Sequence, residues 1–482
     1  MTTPRFMVSA AHRSSGKTTV ALGLAAAFAA RGHAVQTFKK GPDYIDPMWL
    51  ALASGRPCFN LDAHLMGEAA LQSTFGEHAA TAGLNLVEGN MGLYDGLSLD
   101  GSDSNAALAR QLGLPVLLVL DARGMTRGAA PLILGYQAFG RDIRIGGVIL
   151  NRVGSARHES KLRAVIEHYT DMPVLGAIRH DDRFAVTERH LGLVPATELA
   201  GAAQQVRSIA ELVATQVDLD CVQSLAASAS ALPPRPAPVG SAATSAGRPL
   251  RIGIARDRAF GFYYADDLAA LEAAGATLVS IDTLHDTRLP ALDGLFIGGG
   301  FPEMHMAALE ANAALRQALR AAITAGLPTY AECGGLMYLS RSLQWQGRVA
   351  QMVGALQADA VMHERPVGRG YVQLQETADF PWPRGAADPS ELRAHEFHHS
   401  SLENLGPDLR FAYRVQRGHG IDGSRDGIVC GNLLGAYGHR HSAGDHWVPR
   451  FVAFVRRIAA ERAAGTLPDA SRGETQATAV PA

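Results

Sequence analysis

The sequence has few cysteines, no long apolar run and almost no excess of charge of either sign. Its four cysteines, Cys58, Cys221, Cys333 and Cys430, are too widely scattered for a disulfide framework or a metal-binding pair, which indicates a reducing compartment. No apolar run approaches the roughly 18 residues that a membrane helix needs. A net charge of −2, with 19% charged residues, indicates no basic face for nucleic acid. We therefore expect neither a nucleic acid nor a membrane as a partner.

Length and a change in composition predict the domain organisation. A chain of 482 residues is long enough for two or three domains. The segment 222–249 is rich in Ala, Ser and Pro, which is typical of a linker. We therefore predict a first domain over residues 1–221, a second over 250–465 and a disordered polar tail over 466–482. The start, MTTPRFMVSA, lacks a signal-peptide pattern, so we predict a cytoplasmic protein.

The stretch 326–339, GLPTYAECGGLMYL, predicts a reactive cysteine. A short apolar run leads into Glu332 and Cys333, and a Gly-Gly pair then opens a helix-compatible run. A strand that turns sharply into a helix through small residues forms a nucleophile elbow, where the helix N-terminus favours a thiolate over a thiol. The alternative is that Cys333 is a small buried core residue, as most free cysteines are.

A glycine-rich segment upstream favours the nucleophile. The run LFIGGGFPE, at 295–303, places three glycines directly after an apolar strand. Glycines let backbone N–H groups approach a ligand closely, as an oxyanion hole requires. We therefore predict that the backbone of Gly299 and Gly300, together with the N–H of Gly334, would hold an oxyanion.

A histidine motif downstream completes the pattern. The run AYGHRH, at 436–441, offers His439 and His441 as bases for a thiol. The cysteine, the glycine loop before it and the histidine after it resemble class I glutamine amidotransferases. This resemblance implies glutamine hydrolysis through a cysteine thioester, with release of ammonia. In many of those enzymes an acid follows the histidine by two positions, whereas His441 stands there in this chain. We predict His439 as the base and His441 in the orienting role.

The N-terminal segment predicts a phosphate-binding loop. A buried strand at 5–10 is followed by AAHRSSGKTT and an apolar helix at 20–30, so backbone N–H groups and the helix N-terminus can hold phosphate oxygens. Ala11 and Ser14 depart from the usual glycines of such loops. The alternative is a Ser/Gly-rich helix entry with a solvated lysine. The predicted ATP-binding residues are Ser15, Gly16, Lys17, Thr18 and Thr19, with the Thr18 hydroxyl also a Mg²⁺ ligand.

Carboxylates follow two further predicted strands. Asp43 and Asp46 lie in KKGPDYIDP after the strand 34–38, and Glu88 and Asp95 lie in EGNMGLYDG after the strand 84–87. Parallel strands bind ligands at their carboxyl ends, and a carboxylate after a strand is a usual Mg²⁺ anchor in P-loop domains. We predict Asp43, Asp46 and Glu88 as Mg²⁺ ligands. The alternative for KKGPDYIDP is a Pro-Asp turn with solvated acids.

Alternation of strands and helices predicts the fold class. The pattern argues for an α/β fold in each half, with a doubly wound parallel sheet in the first. Each half then has a sheet whose carboxyl ends carry its candidate site. Further strands are predicted at 116–120, 147–150, 174–176, 250–255, 278–281, 295–297 and 329–331.

Two polar motifs have open readings. TERHLGL, at 187–193, is either a solvated helix start or a basic contact for an anionic substrate. HEFHHS, at 395–400, has the ligand types of a zinc site, but on a strand His395 and His398 would face opposite ways. Spacing alone assigns a function to neither motif.

The whole chain outside the linker and tail resembles the cobyrinic or hydrogenobyrinic acid a,c-diamide synthases of cobalamin biosynthesis. The resemblance rests on GPDYIDP, EGNMGLYDG, ERHLGL, ARDRAFGFYY, GGGFPE, YAECGG and HEFHHS, in that order. It implies a synthetase domain related to dethiobiotin synthetase and a C-terminal class I glutamine amidotransferase domain. It also implies that Tyr44, Asp95, Arg189 and His190 contact the substrate.

That family's chemistry implies ATP and glutamine as co-substrates, Mg²⁺ as cofactor and a corrin as acceptor. ATP would convert an acetate side chain of the corrin into an acyl phosphate, and ammonia from glutamine would then displace phosphate. Alternatives are diamidation of another tetrapyrrole, such as nickel sirohydrochlorin, and a P-loop switch ATPase whose second domain binds partners. The switch-ATPase hypothesis gives no role to Cys333 or His439. The residues leave the oligomeric state open, a homodimer included.

Overall fold

The structure is a computed structural model, and it describes residues 3–181, 188–189, 192–231, 248–385 and 391–465. The chain divides into two compact units, Met1–Val239 and Gly240–Ala482, called unit 1 and unit 2 below. Part of the predicted linker, 232–247, and the predicted tail, 466–482, lie outside the described residues.

The described part of unit 1 is built on a seven-stranded sheet in the order β3-β2-β4-β1-β5-β6-β7, with every neighbouring pair parallel. A short antiparallel pair, β8 and β9, lies outside it. The strands are β1 (Arg5–Ala10), β2 (Val35–Lys40), β3 (Phe59–Leu61), β4 (Leu84–Glu88), β5 (Val116–Asp121), β6 (Ile145–Val153), β7 (Val174–Arg179), β8 (Glu188–Arg189) and β9 (Gly192–Leu193). The helices are α1 (Lys17–Ala30), α2 (Ile45–Ser54), α3 (Ala63–Met66), α4 (Glu68–Ala79), α5 (Asn105–Gln111), α6 (Ala129–Phe139), α7 (Ala156–Tyr169), α8 (Ala202–Gln216) and α9 (Leu219–Ala227).

Apolar runs in the sequence become the central strands of this sheet. β1 and β5 are buried along their whole length, as strands covered by helices on both faces must be. The strand order places β1, β4 and β2 side by side, with Glu88 of β4 opposite both Val8 and Lys39. The carboxyl ends of three strands, and the loops that follow them, therefore meet at one edge.

One helix enters the segment that we predicted as linker. α9 ends at Ala227, six residues past the predicted boundary at 221. Asp218 caps its N-terminus by accepting from the Cys221 N–H, and Val222 and Leu225 are buried against the unit. Alanine-rich composition is compatible with a packed helix as well as with a linker, which is why composition placed this boundary too early.

The described part of unit 2 contains a ten-stranded mixed sheet in the order β12-β10-β13-β15-β24-β23-β22-β19-β20-β25, together with a two-stranded and a four-stranded sheet. Its strands are β10 (Leu250–Ala255), β11 (Phe260–Phe262), β12 (Ala276–Ile281), β13 (Gly294–Ile297), β14 (Gly299–Gly300), β15 (Thr329–Glu332), β16 (Ser342–Trp345), β17 (Arg348–Gln351), β18 (Asp359–Met362), β19 (Gly368–Glu376), β20 (Glu391–His398), β21 (Ser400–Glu403), β22 (Arg410–Arg417), β23 (Arg425–Cys430), β24 (Leu433–Ala436) and β25 (His439–Arg440). Its helices are α10 (Ala265–Ala273), α11 (Met306–Ala311), α12 (Ala313–Thr324), α13 (Gly334–Leu339), α14 (Ser442–Asp445) and α15 (Trp447–Ala463), with a 3₁₀ turn at Pro302–His305.

The mixed sheet positions the cysteine and histidine motifs. β12, β10, β13, β15 and β24 run parallel to one another, and Cys333 directly follows β15. The remaining strands are antiparallel, and β25 pairs with β20 so that His439 lies opposite His395. Two motifs that are far apart in sequence, HEFHHS and AYGHRH, therefore contribute residues to adjacent strands of the sheet.

Two features are absent from the described residues. No helix there is long and apolar enough to cross a membrane. No group of three His, Cys, Asp or Glu side chains there is arranged to hold a metal ion, so HEFHHS has no zinc geometry in the described part of the chain.

Candidate active sites

Cys333 stands on a sharp turn between β15 and α13. Its φ of 46° and ψ of −102° lie in a region that non-glycine residues rarely adopt. The backbone is held there because the Cys333 N–H donates to the Ala436 carbonyl at 2.8 Å and Gly335 packs against Ile297, where a Cβ would lie 2.2 Å from the carbonyl oxygen. Cys333 retains 8% of its surface exposed. The strained turn is the geometry of a nucleophile elbow.

The predicted oxyanion glycines lie beside this turn. A Cβ on Gly334 would lie 2.9 Å from the Gly300 nitrogen, so the two backbones are in direct contact. Gly334 is also the first residue of α13, whose opening N–H groups have no intrahelical acceptor. A Cβ on Gly299 would lie 2.8 Å from Cε1 of His439. The structure thus brings all three glycines to the Cys333–His439 region.

His439 is hydrogen-bonded to Cys333 and is 3% exposed. Burial opposes its protonation, but hydrogen bonds with Cys333 and Glu332 outweigh burial and raise the pKa of His439 to about 10. The turn before it is anchored by the buried Asp426, which accepts from the N–H groups of Tyr437 at 3.0 Å and Gly438 at 2.9 Å. These hydrogen bonds therefore favour the protonated form of the ring beside the thiol.

Glu332 contacts the other side of the histidine. Its Oε2 lies 3.2 Å from Nδ1 of His439, and its Oε1 accepts from the Tyr330 hydroxyl at 2.7 Å and from the Arg440 N–H at 3.2 Å. The sequence reasoning did not single out Glu332, since acids were sought after the histidine. Its position directly before Cys333 was the available clue.

His441, predicted to orient His439, contacts residues at the start of α10 and just before it. Its Nε2 lies 3.5 Å from Oδ2 of Asp266, and its ring packs on Tyr264 with centroids 4.7 Å apart. Its charge also lowers the pKa of the neighbouring Asp267, against a larger opposite effect of burial. In this structure the carboxylate at His439 is Glu332, and the predicted role of His441 stays a prediction.

The phosphate loop of unit 1 connects β1 to α1. Gly16 has a φ of 84°, and Asn151 donates to the Ser15 carbonyl at 2.8 Å. Ser14 has a φ of 62°, which explains why related loops favour glycine there. The Arg152 guanidinium donates to the Ser14 carbonyl at 2.7 Å. Asn151 and Arg152, on β6, therefore hold two carbonyls of the loop in place, a role that the sequence did not predict for them.

Three of the predicted metal ligands meet around a buried lysine. The Thr18 hydroxyl lies 2.6 Å from Glu88 and 3.4 Å from Asp46. The Lys39 ammonium lies 2.6 Å from Asp46, 3.2 Å from Glu88 and 4.0 Å from Asp43. Burial opposes the charge on Lys39, but these carboxylates outweigh it and raise its pKa. Lys39 is a cation within the cluster; it belongs to the motif KKGPDYIDP, but the sequence pattern assigned it no role.

Lys17 stands at the start of α1 and is 9% exposed. Burial and the neighbouring Lys39 lower its pKa, against the opposite effect of Glu88. A polyphosphate would supply the negative charge that this buried lysine needs. Thr19 lies in the same first helical turn.

The predicted substrate contacts are less closely grouped. Tyr44 is the N-cap residue of α2, next to Asp43 and Asp46. Asp95 is exposed, and its carboxylate accepts from the Gly92 N–H at 2.9 Å. Arg189 lies in β8, but its side chain and the whole of His190 fall outside the described residues.

Comparison with protein families assigns a different domain to each of the two candidate sites. Residues 7–194 match the CobQ/CobB/MinD/ParA nucleotide binding domain, and residues 251–447 match the CobB/CobQ-like glutamine amidotransferase domain. Together with the phosphate loop and the Cys–His elbow, these matches define a glutamine-dependent ligase with α/β architecture in both units. The predicted fold class and enzyme class are confirmed.

Full-length relatives specify the family. The chain is 46% identical to the cobyrinate a,c-diamide synthase of Magnetococcus marinus over 468 residues, which cover 96% of this chain and 99% of that protein. It is 41% identical to the protein of the same name from Methanosarcina acetivorans, over 91% of this chain and 92% of that protein. The chain belongs to the cobyrinate a,c-diamide synthase family. A solved chain of PurLQS from Thermotoga maritima is similar to 44% of this chain over 100% of its own length, at 16% identity and a TM-score of 0.34.

Proposed function

We propose that this enzyme amidates the a and c acetate carboxylates of cobyrinic or hydrogenobyrinic acid, using ATP and glutamine. The observation that carries the proposal is that each unit of a chain that belongs to this family has a candidate site. Unit 1 has a phosphate loop beside a carboxylate–lysine cluster, and unit 2 has a cysteine hydrogen-bonded to a buried imidazolium. A location in the cytoplasm stays a prediction.

Ammonia is generated at Cys333. The thiolate sulfur attacks the amide carbon of glutamine, and the C–N bond breaks as His439 donates its proton to the leaving ammonia. The tetrahedral oxygen accepts hydrogen bonds from the backbone of Gly299, Gly300 and Gly334. Water then hydrolyses the thioester, which releases glutamate and restores the thiol.

The acceptor is activated in unit 1. An acetate oxygen of the corrin attacks the γ-phosphorus of ATP, and the bond to ADP breaks, which leaves an acyl phosphate. Ammonia then attacks the acyl carbon, and phosphate leaves with the bonding electrons. Lys17 and Lys39 supply positive charge, and the N–H groups of the loop from Ser15 to Thr19 hold phosphate oxygens. The reaction occurs twice, once at each acetate.

A magnesium ion fits the donors of this site. Thr18, Asp46 and Glu88 present hard oxygen ligands, and the Thr18 hydroxyl lies within hydrogen-bonding distance of both carboxylates. Oε2 of Glu88 is buried without a hydrogen-bond partner among the described residues. Mg²⁺ favours a few protein oxygens completed by phosphates and water. When bound with ATP it would neutralise phosphate charge. The Oδ1 atom of Asp43 instead accepts hydrogen bonds from N–H groups at the start of α2, so Asp43 would not be a direct ligand of the ion.

The test measures the product directly. The protein is incubated with ATP, Mg²⁺ and glutamine, in parallel with cobyrinic acid, hydrogenobyrinic acid and nickel sirohydrochlorin, and the acceptor mass is followed. Two successive mass shifts of one amidation each, with equivalent ADP and glutamate formed, are expected for a corrin acceptor. Amidation of nickel sirohydrochlorin alone would assign the enzyme to another tetrapyrrole. ATP hydrolysis with no acceptor modified would contradict the proposal.

A further inference from the structure

We propose that Glu332 is the positioning carboxylate of the glutaminase site, in the role that class I amidotransferases give to an acid after the histidine. The inference rests on the proposed glutaminase function of Cys333 and His439. It assigns to one short segment, Glu332–Cys333, both the nucleophile and the group that orients its partner. Glu332 acts through His439 and does not touch the substrate.

The contacts of Glu332 fix the direction of the histidine ring. Oε2 lies 3.2 Å from Nδ1 of His439, so that nitrogen carries the proton shared with the carboxylate. A ring whose Nδ1 is engaged by Glu332 has Nε2 left for its hydrogen bond with Cys333, which is the arrangement a Cys–His pair requires. Oε1 is held independently, by the Tyr330 hydroxyl at 2.7 Å and the Arg440 N–H at 3.2 Å. With both oxygens engaged, the carboxylate cannot rotate away.

Burial strengthens this ion pair. Glu332 is 2% exposed and His439 is 3% exposed, so the attraction between their charges is weakly screened. The carboxylate lies on the last residue of β15, opposite Ala436 of β24, while the Cys333 N–H donates to the same Ala436. The backbone that carries the nucleophile therefore also fixes the acid. A displacement of one would displace the other.

Other charges around the pair do not replace Glu332. His395 lies opposite His439 on β20, and burial lowers its pKa to about 3, so it is a neutral neighbour. The contacts of His441 lead to Asp266 on α10. The titratable groups that interact with His439 or Glu332 are Cys333, His395, Tyr263, Tyr330, Arg440 and Asp267.

The decisive variant is Glu332→Gln, which keeps shape and removes charge. We expect glutamine hydrolysis to fall by about 100-fold or more, since replacing the acid of a catalytic triad by its amide lowers turnover by up to about 10⁴-fold. Ammonium-driven amidation by the same preparation should change less than about threefold, because that route bypasses Cys333. Glu332→Asp, which keeps the charge at a longer reach, should recover part of the lost hydrolysis.

A pH profile separates positioning from a structural effect. Glutamine hydrolysis needs the imidazolium, so its alkaline limb follows deprotonation of His439, whose pKa the hydrogen bonds to Cys333 and Glu332 raise to about 10 against the effect of burial. Removal of the Glu332 charge favours deprotonation, and the limb should move down by about one pH unit or more. For the same reason, alkylation of Cys333 by iodoacetamide at pH 7 should slow in Glu332→Gln, as less thiolate–imidazolium pair is present.

A matched control uses another buried carboxylate of unit 2. Glu376→Gln disrupts the ion pair with Arg450, at 2.5 Å, without touching the Cys–His pair, and should leave the alkaline limb in place. The inference is overturned if Glu332→Gln retains hydrolysis within a few-fold, or loses it with an unmoved limb and an unchanged alkylation rate. The measurement of Cys333 alkylation does not require the enzyme to turn over glutamine. A wild-type enzyme without glutaminase activity would therefore count against the proposed function, while a changed alkylation rate would still support the role of Glu332.

Discussion

Cys333 occupies a backbone conformation that costs a non-glycine residue on the order of 1–3 kcal/mol. The cost is offset because the turn presents the sulfur between His439 and the N–H groups of α13. The other three cysteines have no such environment. Burial raises the pKa of the Cys58 thiol, and a hydrogen bond to Asp218 together with slight burial raises that of Cys221. At the scale of single residues, reactivity is therefore a property of location.

The first prediction at this scale concerns selective labelling. A glutamine-like electrophile at limiting concentration should modify Cys333 before the other cysteines, because its sulfur is hydrogen-bonded to His439 at the sharp turn before α13. Peptide mapping by mass spectrometry identifies the labelled site. Cys430, which is exposed, is the internal control for mere accessibility. Preferential labelling of Cys58, Cys221 or Cys430 would contradict the prediction.

The two histidines of AYGHRH give a second prediction. His439→Ala should abolish glutamine hydrolysis, with a loss of about 10³-fold or more, because the proton donor to ammonia is removed. His441→Ala should cost less activity and more stability, since it leaves Asp266 and Asp267 of α10 without their buried partner. Steady-state glutaminase kinetics and thermal unfolding are measured for both variants. Retained turnover in His439→Ala, with loss in His441→Ala, would reverse the assignment.

At the scale of elements, both candidate sites are built on turns that directly follow strands of a sheet. In unit 1 the loop after β1 needs the left-handed conformation of Gly16, and a Cβ there would lie 2.1 Å from the Asn151 amide nitrogen. In unit 2 the turn after β24 is held by Asp426 before β25 starts. Each loop is therefore anchored by a side chain from another strand, which keeps its N–H groups or its histidine in place.

Gly16→Ala tests the loop as an element, and Gly32→Ala is its matched control. Both glycines have φ near 85°, at 84° and 87°, but Gly32 has open space around its Cα. Both variants should lose about 1 kcal/mol of stability from backbone strain. Gly16→Ala should additionally lose ATP-dependent amidation by about 100-fold or more, because the loop must move away from Asn151. Denaturant unfolding and ADP release are compared. Equal activity in the two variants would show that the Asn151 contact is dispensable.

At the scale of the whole molecule, the two chemistries occupy different units and should be separable. Cys333→Ala should abolish amidation driven by glutamine and leave amidation driven by ammonium salts within about twofold, since acyl phosphate formation never involves the thiol. Lys17→Ala should abolish both, because phosphoryl transfer precedes either nitrogen source. Acceptor mass shifts are measured with each nitrogen donor. Loss of ammonium-driven activity in a folded Cys333→Ala protein would contradict this division.

The sequence determined the elements and the reactive groups. The strand 5–10 and the strand 250–255 were predicted at their observed bounds, because each is a short apolar run followed by a change to polar or glycine-rich residues. The motifs with Lys17 and Cys333 carry their chemistry locally, since a strand, a small-residue turn and a helix start are neighbours in the chain. The α/β class was predicted from these local patterns and the family from the resemblance of several motifs, and both are confirmed.

Tertiary structure alone decided which side chains surround those groups. Lys39 meets Glu88, Asp426 meets Tyr437 and Glu332 meets His439 through pairing of strands or turns that lie far apart in sequence or in different motifs. No periodicity shows that a lysine will enter a carboxylate cluster, or that the acid of a Cys–His pair precedes the cysteine. The physical reason is that local propensity fixes backbone direction, whereas partners are selected by sheet register and by the need to pair every buried charge.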